Sequence, residues 1–251
     1  MCLIAVLFCN DAQAVVTLAG TRLVFDGQYH EATIDVSNPD RVPVLIQAWV
    51  EEPGAGRVDL PFVLTPALVQ IPPQGRQVLR LLYQGLGMPT DRESLLHLYV
   101  LEVPRRSEAP QQLNIAVRQR INVFYRPSGL DGYHADAPQR LLWQRDIQQH
   151  GAFTVRNPTP FHASLLKIRF NGIEISEDLM LEPFSGHSLR WPAPPAQTPA
   201  QGALTFTALT DYGGQREFCA PVLDAKPSTA RVYTGGDHGL LAHSLIGKCP
   251  P

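Results

Sequence analysis

Eight histidines and four cysteines are the side chains of this 251-residue sequence best suited to catalysis or metal binding. The histidines are scattered. No two have the spacing of a helical metal site, and no Cys/His cluster occurs; each reads as an isolated surface histidine. There is no G-x-S-x-G elbow, phosphate-binding loop or G-x-G-x-x-G turn. Asp91-Arg92-Glu93 sets two carboxylates two residues apart. With Arg between them they read as a loop or an ion-pair network rather than an acid/base pair. The sequence thus offers no catalytic residue, no metal site and no cofactor site. Its chemistry is that of binding, and it is concentrated in Gln111 to Pro127, QQLNIAVRQRINVFYRP. Leu113, Ile115 and Val117 alternate with Asn114, Ala116 and Arg118, and the alternation continues with Ile121, Val123 and Tyr125. That is the period of two at which every second side chain points to one face of a sheet. The run also carries Arg118, Arg120 and Arg126. It is either a sandwich strand with a solvated outer face or an exposed edge that recruits a strand from another protein.

The rest of the chain must position that strand. Apolar residues make up 44% and charged residues 18%, the composition of a globular protein rather than a disordered one. A net charge of -2 argues against a nucleic-acid surface. The 23 prolines recur between short apolar runs, as in an all-β protein with many turns. No apolar run reaches the roughly 18 residues that a membrane-spanning helix needs. The length suits two domains, each large enough to bury a core. At the N-terminus, Cys2 to Cys9 is a short apolar core followed by Ala12-Gln13-Ala14, a small-residue cleavage site. Residues 1–14 therefore read as a signal peptide. Cleavage after Ala14 removes Cys2 and Cys9 and leaves Cys219 and Cys249, which either form one disulfide or remain two thiols.

Strand signals follow in order. Val16 to Phe25, interrupted by Gly20-Thr21-Arg22, then Ala32 to Val36, Val44 to Val50, Phe62 to Ile71 with Pro66 inside it, Gln77 to Tyr83 and Leu95 to Val103 lead to the long basic strand, with turns at Asp26-Gly27, Asn38-Pro39 and Pro72-Pro73-Gln74-Gly75. About seven strands at short spacing, with no amphipathic helix, is the pattern of an immunoglobulin-like sandwich. The second half repeats it: Val36-Ser37-Asn38-Pro39 is echoed by Val155-Arg156-Asn157-Pro158. The linker lies near Ser128 to Pro138. The expected domains are 15–130 and 131–251, the second containing a proline-rich loop at Pro192 to Pro199 and a strand at Leu204 to Leu209.

Pro89-Thr90-Asp91-Arg92-Glu93-Ser94-Leu95, followed by Val100-Leu101-Glu102-Val103-Pro104, resembles the signature of periplasmic pilus chaperones of the chaperone–usher pathway. Thr21-Arg22-Leu23-Val24-Phe25 resembles the first-strand motif of that family, Ile121 to Pro127 its strand end, and Asp211-Tyr212-Gly213-Gly214 its second-domain loop. The likeness spans nearly the whole chain. Within the signature, His97 and Tyr99 stand where an aromatic residue and an Asn are usual, and Asn122 replaces a Lys. The resemblance implies two immunoglobulin-like domains set in an L with a cleft between them, in the periplasm. It implies donor-strand complementation: Leu113, Ile115 and Val117 fill the groove of an incomplete pilus subunit, which then passes to an outer-membrane usher. Arg22 anchors the subunit's C-terminal carboxylate. Asn122 stands in place of the usual Lys, so either the anchor is weaker or another cation supplies the charge, with Arg120 on the same face as the candidate. Glu93, Arg126 and Asp211 form a buried ion network that sets the interdomain angle. The short Pro104 to Gln111 loop resembles the branch that serves rod-like pili. The alternative is a two-domain adhesion or binding module of the cell envelope, which shares the sandwich but needs no cleft cations.

Overall fold

A computed structural model describes residues 16–54, 59–104, 115–146, 148, 151–192, 201–223, 226–233 and 249. The expected signal peptide with Cys2 and Cys9, the loop at 105–110, the groove residue Leu113 and all but the first residue of the Pro192 to Pro199 loop lie outside the described residues. Nine strands come first: β1 (Thr17–Leu18), β2 (Arg22–Asp26), β3 (Glu31–Ser37), β4 (Val44–Glu51), β5 (Phe62–Thr65), β6 (Leu68–Ile71), β7 (Arg76–Tyr83), β8 (Ser94–Val103) and β9 (Arg118–Arg126). A 3-10 turn, His134–Asp136, and a one-turn helix α1 (Ala137–Arg140) follow. Then come β10 (Leu142–Arg145), β11 (Ala152–Arg156), β12 (Ala163–Phe170), β13 (Ile173–Leu181), β14 (Gly186–Arg190), β15 (Gln201–Leu209), β16 (Gln215–Leu223), β17 (Ser228–Thr229) and β18 (Arg231–Val232). Among the described residues no helix is long and apolar enough to cross a membrane.

The strands form four sheets, ordered β1-β3-β7-β5, β2-β9-β8-β4-β6, β14-β11-β10-β17 and β13-β12-β15-β16-β18. Alternation decides which side chains are inside. In β3 and β7, Ile34, Val36, Leu79 and Leu81 are buried while Thr33, Asp35, Val78 and Arg80 between them are exposed. In the β2-β9-β8-β4-β6 sheet the buried residues include Phe25, Val44, Ile46, Ala48, Ile71, Leu96, Leu98, Val100, Ile121 and Val123. Each such aliphatic side chain contributes about 1.5–3 kcal/mol on burial, so these rows hold the sandwich together. The second core is richer in aromatic rings. Trp143 packs on Phe206 with centroids 5.2 Å apart, and Phe153 on Phe170 at 4.6 Å.

Packing divides the chain into two compact units that do not follow sequence order. One holds residues 30–86 and 97–122 with the N-terminal stretch before Arg22; the other holds 22–29, 87–96 and 123 onward.

Three expected strands differ. Val16 to Phe25 is interrupted as expected but one residue earlier, at Ala19-Gly20-Thr21, and its two pieces, β1 and β2, join different sheets. Phe62 to Ile71 splits into β5 and β6, because Pro66 has no N–H to give to a ladder. The long basic run is a strand only from Arg118 onward. Ile115 to Val117 precede it as extended chain, with Glu102 N–H donating to the Val117 carbonyl at 2.9 Å as the last tie to β8.

Candidate functional site

The functional side chains sit on β2, β8, β9, the Asn157-Pro158 turn and the loop after β15. The β15–β16 loop, Asp211-Tyr212-Gly213-Gly214, is closed by hydrogen bonds from Thr210 N–H to Gly214 O and from Gly213 N–H to Thr210 O. Gly213 takes φ +77, a conformation that costs glycine least. This turn presents Asp211. The Asn157 turn is held from within: its side-chain amide donates to the carbonyls of Phe161 at 2.7 Å and Glu182 at 3.0 Å. It presents the Pro160 carbonyl and His162. Glu93 comes from the stretch just before β8, where its N–H donates to the Pro160 carbonyl at 2.9 Å.

Arg126, at the end of β9, joins these pieces. Its Nε and one terminal nitrogen reach Glu93 Oε1 at 2.9 and 2.8 Å. Its terminal nitrogens also grip Asp211 in a fork at 2.9 and 3.0 Å. The other Glu93 oxygen accepts the His162 backbone N–H at 2.8 Å and lies 3.0 Å from His162 Nδ1. His134 Nδ1 lies 3.0 Å from Asp211 Oδ1. The Arg126 guanidinium also lies over the Phe161 ring, 5.4 Å from its centroid. Glu93, Arg126 and Asp211 are thus brought together, within one compact unit.

The electrostatics follow from burial and partners. The Glu93 side chain is 0% exposed. Burial pushes its carboxyl up, but the His162 hydrogen bonds and the Arg126 charge outweigh burial and hold it below the usual range. Burial raises the Asp211 carboxyl too, and the bonds from His134 and Arg126 reverse that, leaving it far below its ordinary value. Burial lowers Arg126, and the bonds and charges of Asp211 and Glu93 overcome it, so the guanidinium is held more firmly protonated than usual.

His162 and His134 correct the expectation of isolated surface histidines. His162 is 4% exposed and His134 has a 14% exposed side chain, each against a carboxylate. Their spacing carries no signal. Only the position of His162 five residues after the repeated Asn-Pro could have flagged it. Among the described residues no three His, Cys, Asp or Glu side chains gather where they could hold a metal ion.

Arg22 opens β2 in the same unit. Its guanidinium lies 5.5 Å from the Phe124 ring centroid, and its Nε is buried without a hydrogen-bond partner. Burial lowers its pKa, opposed by the charges of Asp211 and Glu93. It lines a cavity of about 580 Å³ together with Asp26, Arg126, His134, Phe161 and Tyr212. Arg120 and Asn122 belong to the other unit and share the outward row of β9, where Arg120 is exposed and Asn122 half-buried. On the opposite row, Ile121 and Val123 are core, whereas Ile115, six residues before Ile121 and in the same phase, is 68% exposed. Val117 is half-buried. Cys219 on β16 is bonded to Cys249, with Cα atoms 6.0 Å apart, and both residues are buried.

Residues 15–131 match the family described as pili and flagellar-assembly chaperone, PapD N-terminal domain, and residues 136–220 match pili assembly chaperone PapD, C-terminal domain. The chain is 34% identical over 227 residues to the chaperone protein FimB/FhaD of Bordetella pertussis, covering 85% of this chain and 90% of the relative. It is 32% identical to the probable fimbrial chaperone LpfB of Escherichia coli O157:H7, covering 83% and 89%. Among solved structures it is similar to the Pseudomonas aeruginosa CupB2 chaperone, with TM-score 0.69 and 32% identity over 82% of this chain and 100% of that one. It is also similar to a structure of the Salmonella enterica SafA pilin in complex with the SafB chaperone, with TM-score 0.71 and 27% identity over 87% and 96%. With both halves matched and the Glu93–Arg126–Asp211 cluster assembled, the chain belongs to the family of pilus assembly chaperones.

Proposed function

We propose that this protein is a periplasmic chaperone that captures incomplete pilus subunits by donor-strand complementation and delivers them to an outer-membrane usher. Its work is binding, not catalysis. The observation that carries the reading is the row of β9. Ile121 and Val123 fill the protein's own core, while Ile115 continues the same row into solvent at 68% exposure. An aliphatic side chain in phase with a core but outside it is a knob for another molecule's groove. The backbone edge beside it offers ladder hydrogen bonds to a subunit that lacks a strand. Gly27 N–H donates to Arg126 O at 2.7 Å, which sets β2 beside the C-terminal end of β9, and in this reading the N-terminal end is the edge offered to a subunit.

Arg22 is the carboxylate anchor in this reading. A guanidinium held over an aromatic ring, with its Nε removed from water and unpaired, gains most from an incoming anion. Leu113, Ile115 and Val117 are the groove-filling residues. Arg120 assists Arg22, and Asn122 donates neutral hydrogen bonds where a cation is usual.

The test is co-expression of the chain with a pilus subunit in a bacterial periplasm, followed by co-purification. Ile115→Asp and Arg22→Ala are expected to abolish capture with circular dichroism unchanged, because a charge enters an apolar groove in one and the anchor is lost in the other. Arg120→Ala weakens capture, and Asn122→Lys preserves or strengthens it. Subunit capture at wild-type yield by Ile115→Asp contradicts the proposal.

A further inference from the structure

The outward face of β4, β8 and β9 carries a layered aromatic group, and all of it lies within one compact unit. Trp49 on β4 pairs across the sheet with Tyr99 on β8, and the two rings stack with centroids 5.3 Å apart. His97 meets the Tyr99 ring edge-on at 6.1 Å. The Trp49 indole N–H donates to Glu51 at 2.9 Å, which engages the one carboxylate of this group. Arg118, the first residue of β9, lies over the free side of the assembly with its guanidinium carbon 5.2 Å from the Tyr99 centroid. Arg120 follows on the same row. Burial and the charge of Arg120 hold His97 below its usual range, so at neutral pH it serves here as a ring and not as a third cation. Arg118 and Arg120 are exposed, and among the described residues neither is paired with a carboxylate.

This arrangement does specific work. A guanidinium resting on an aromatic face has its rotamers restricted, while the N–H groups in its plane stay free. Those N–H groups form a fork that matches a carboxylate, and the stacking lowers the ordering cost of closing it. The fork stands one residue beyond Val117 and three beyond Ile115, on the outward row of the strand that meets the subunit. Two cations without a carboxylate partner among the described residues, beside a carboxylate already engaged by Trp49, complement negative charge.

We propose that Arg118, stacked on Tyr99, is a specificity-determining residue that receives an acidic side chain of the bound pilus subunit next to the donated strand. This rests on the chaperone reading above. A subunit carrying Asp or Glu at that place is selected, and one carrying Lys or Arg is rejected by the Arg118–Arg120 pair.

The experiment uses the full chain and the pilus subunit that it captures in co-expression. Arg118→Glu lowers subunit retention by about tenfold or more, the scale of losing a charge-assisted hydrogen-bond pair and meeting a like charge. Arg118→Lys, which keeps the charge but loses the fork, falls between that variant and the wild type, and Tyr99→Ala loses less than Arg118→Glu. Raising the salt concentration weakens the wild type more than Arg118→Ala. Reversing one acidic residue of the subunit to Arg weakens capture by the wild type and restores it with Arg118→Glu. Retention by Arg118→Glu equal to wild type, or a wild-type salt dependence in Arg118→Ala, overturns the assignment. If Ile115→Asp loses the subunit while Arg118→Glu keeps it, the chaperone reading stands and this inference fails. If both keep it, the chaperone reading itself fails.

Discussion

The two Asn-Pro turns share one design and carry different loads. In the first half, the Asn38 amide donates to the carbonyls of Val42 and Pro72, and its Oδ1 accepts the Asp40 N–H. In the second, Asn157 donates to Phe161 and Glu182, and its Oδ1 accepts the Thr159 N–H. Each turn docks on a second loop with a left-handed residue, Gln74 at φ 56 and Phe184 at φ 55, which donate to the carbonyls of Asp40 and Thr159. The first turn stops there, and Arg41 and Val42 at its tip are exposed. The second goes further. Its Pro160 carbonyl, Phe161 ring and His162 hold Glu93 and Arg126. The comparison teaches that the clamp is a general way of closing a sandwich end. The second copy reuses it to present a polar surface to a buried carboxylate, and the difference lies in the tip residues alone.

Breaking the added load should cost most. Arg126→Ala leaves the buried Glu93 without its guanidinium counter-charge, and about 3–5 kcal/mol of stability is expected to be lost. Arg80→Ala, which removes the exposed Arg80–Glu31 pair of the first half, should change thermal stability by less than about 1 kcal/mol. Asn157→Ala and Asn38→Ala each leave carbonyls without their donor. Both are expected to lower stability by about 1–3 kcal/mol in denaturant melts. The two diverge in NMR: only Asn157→Ala shifts the His162 ring signals.

Acid sharpens the same contrast. Glu93 and Asp211 have depressed pKa values in the folded protein. Their stabilisation is complete above the ordinary carboxylate range and is lost as pH falls from about 4 through their folded values. Thermal melts should therefore fall below about pH 4 in the wild type and fall less in Asp211→Asn. The smallest effect concerns the left-handed residues. Gln74→Gly relieves backbone cost but gives up the side-chain amide's hydrogen bonds to the Pro39 and Asp40 carbonyls, so its net change should stay within about 1 kcal/mol. Phe184→Gly gives up the contact with Arg92, whose guanidinium lies 5.2 Å from the ring, so its net change should be near zero.

Much of this was legible in the sequence because period-two alternation reports which side of a strand is buried. Ile34 and Val36, and Ile121 and Val123, are core for that reason. The Asn-Pro echo was legible as two short matches, since the same side chain closes both turns. The break between β1 and β2 was legible in Gly20-Thr21-Arg22, a small and polar interruption of the run. The break at Pro66 was not, because Pro66 interrupts a ladder without interrupting hydrophobicity. His134 and His162 were hidden for another reason. A histidine's role here depends on a carboxylate 77 and 69 residues away in sequence, Asp211 and Glu93, and spacing cannot report a contact made by folding. The burial of Phe124 on the otherwise polar row of β9 was equally silent, because its neighbours are Arg22 and the ring of His162.

The central claim is that the N-terminal end of β9 and the residues before it are lent to a pilus subunit. Hydrogen exchange of the backbone amides from Ile115 to Ile121, measured in the free chain and in the purified complex with its captured subunit, tests it most directly. The account predicts amides on the open edge that exchange freely in the free chain and are slowed by orders of magnitude in the complex, while β12 and β15 keep their rates. Unchanged exchange across Ile115 to Ile121 in a complex that still holds its subunit would contradict it.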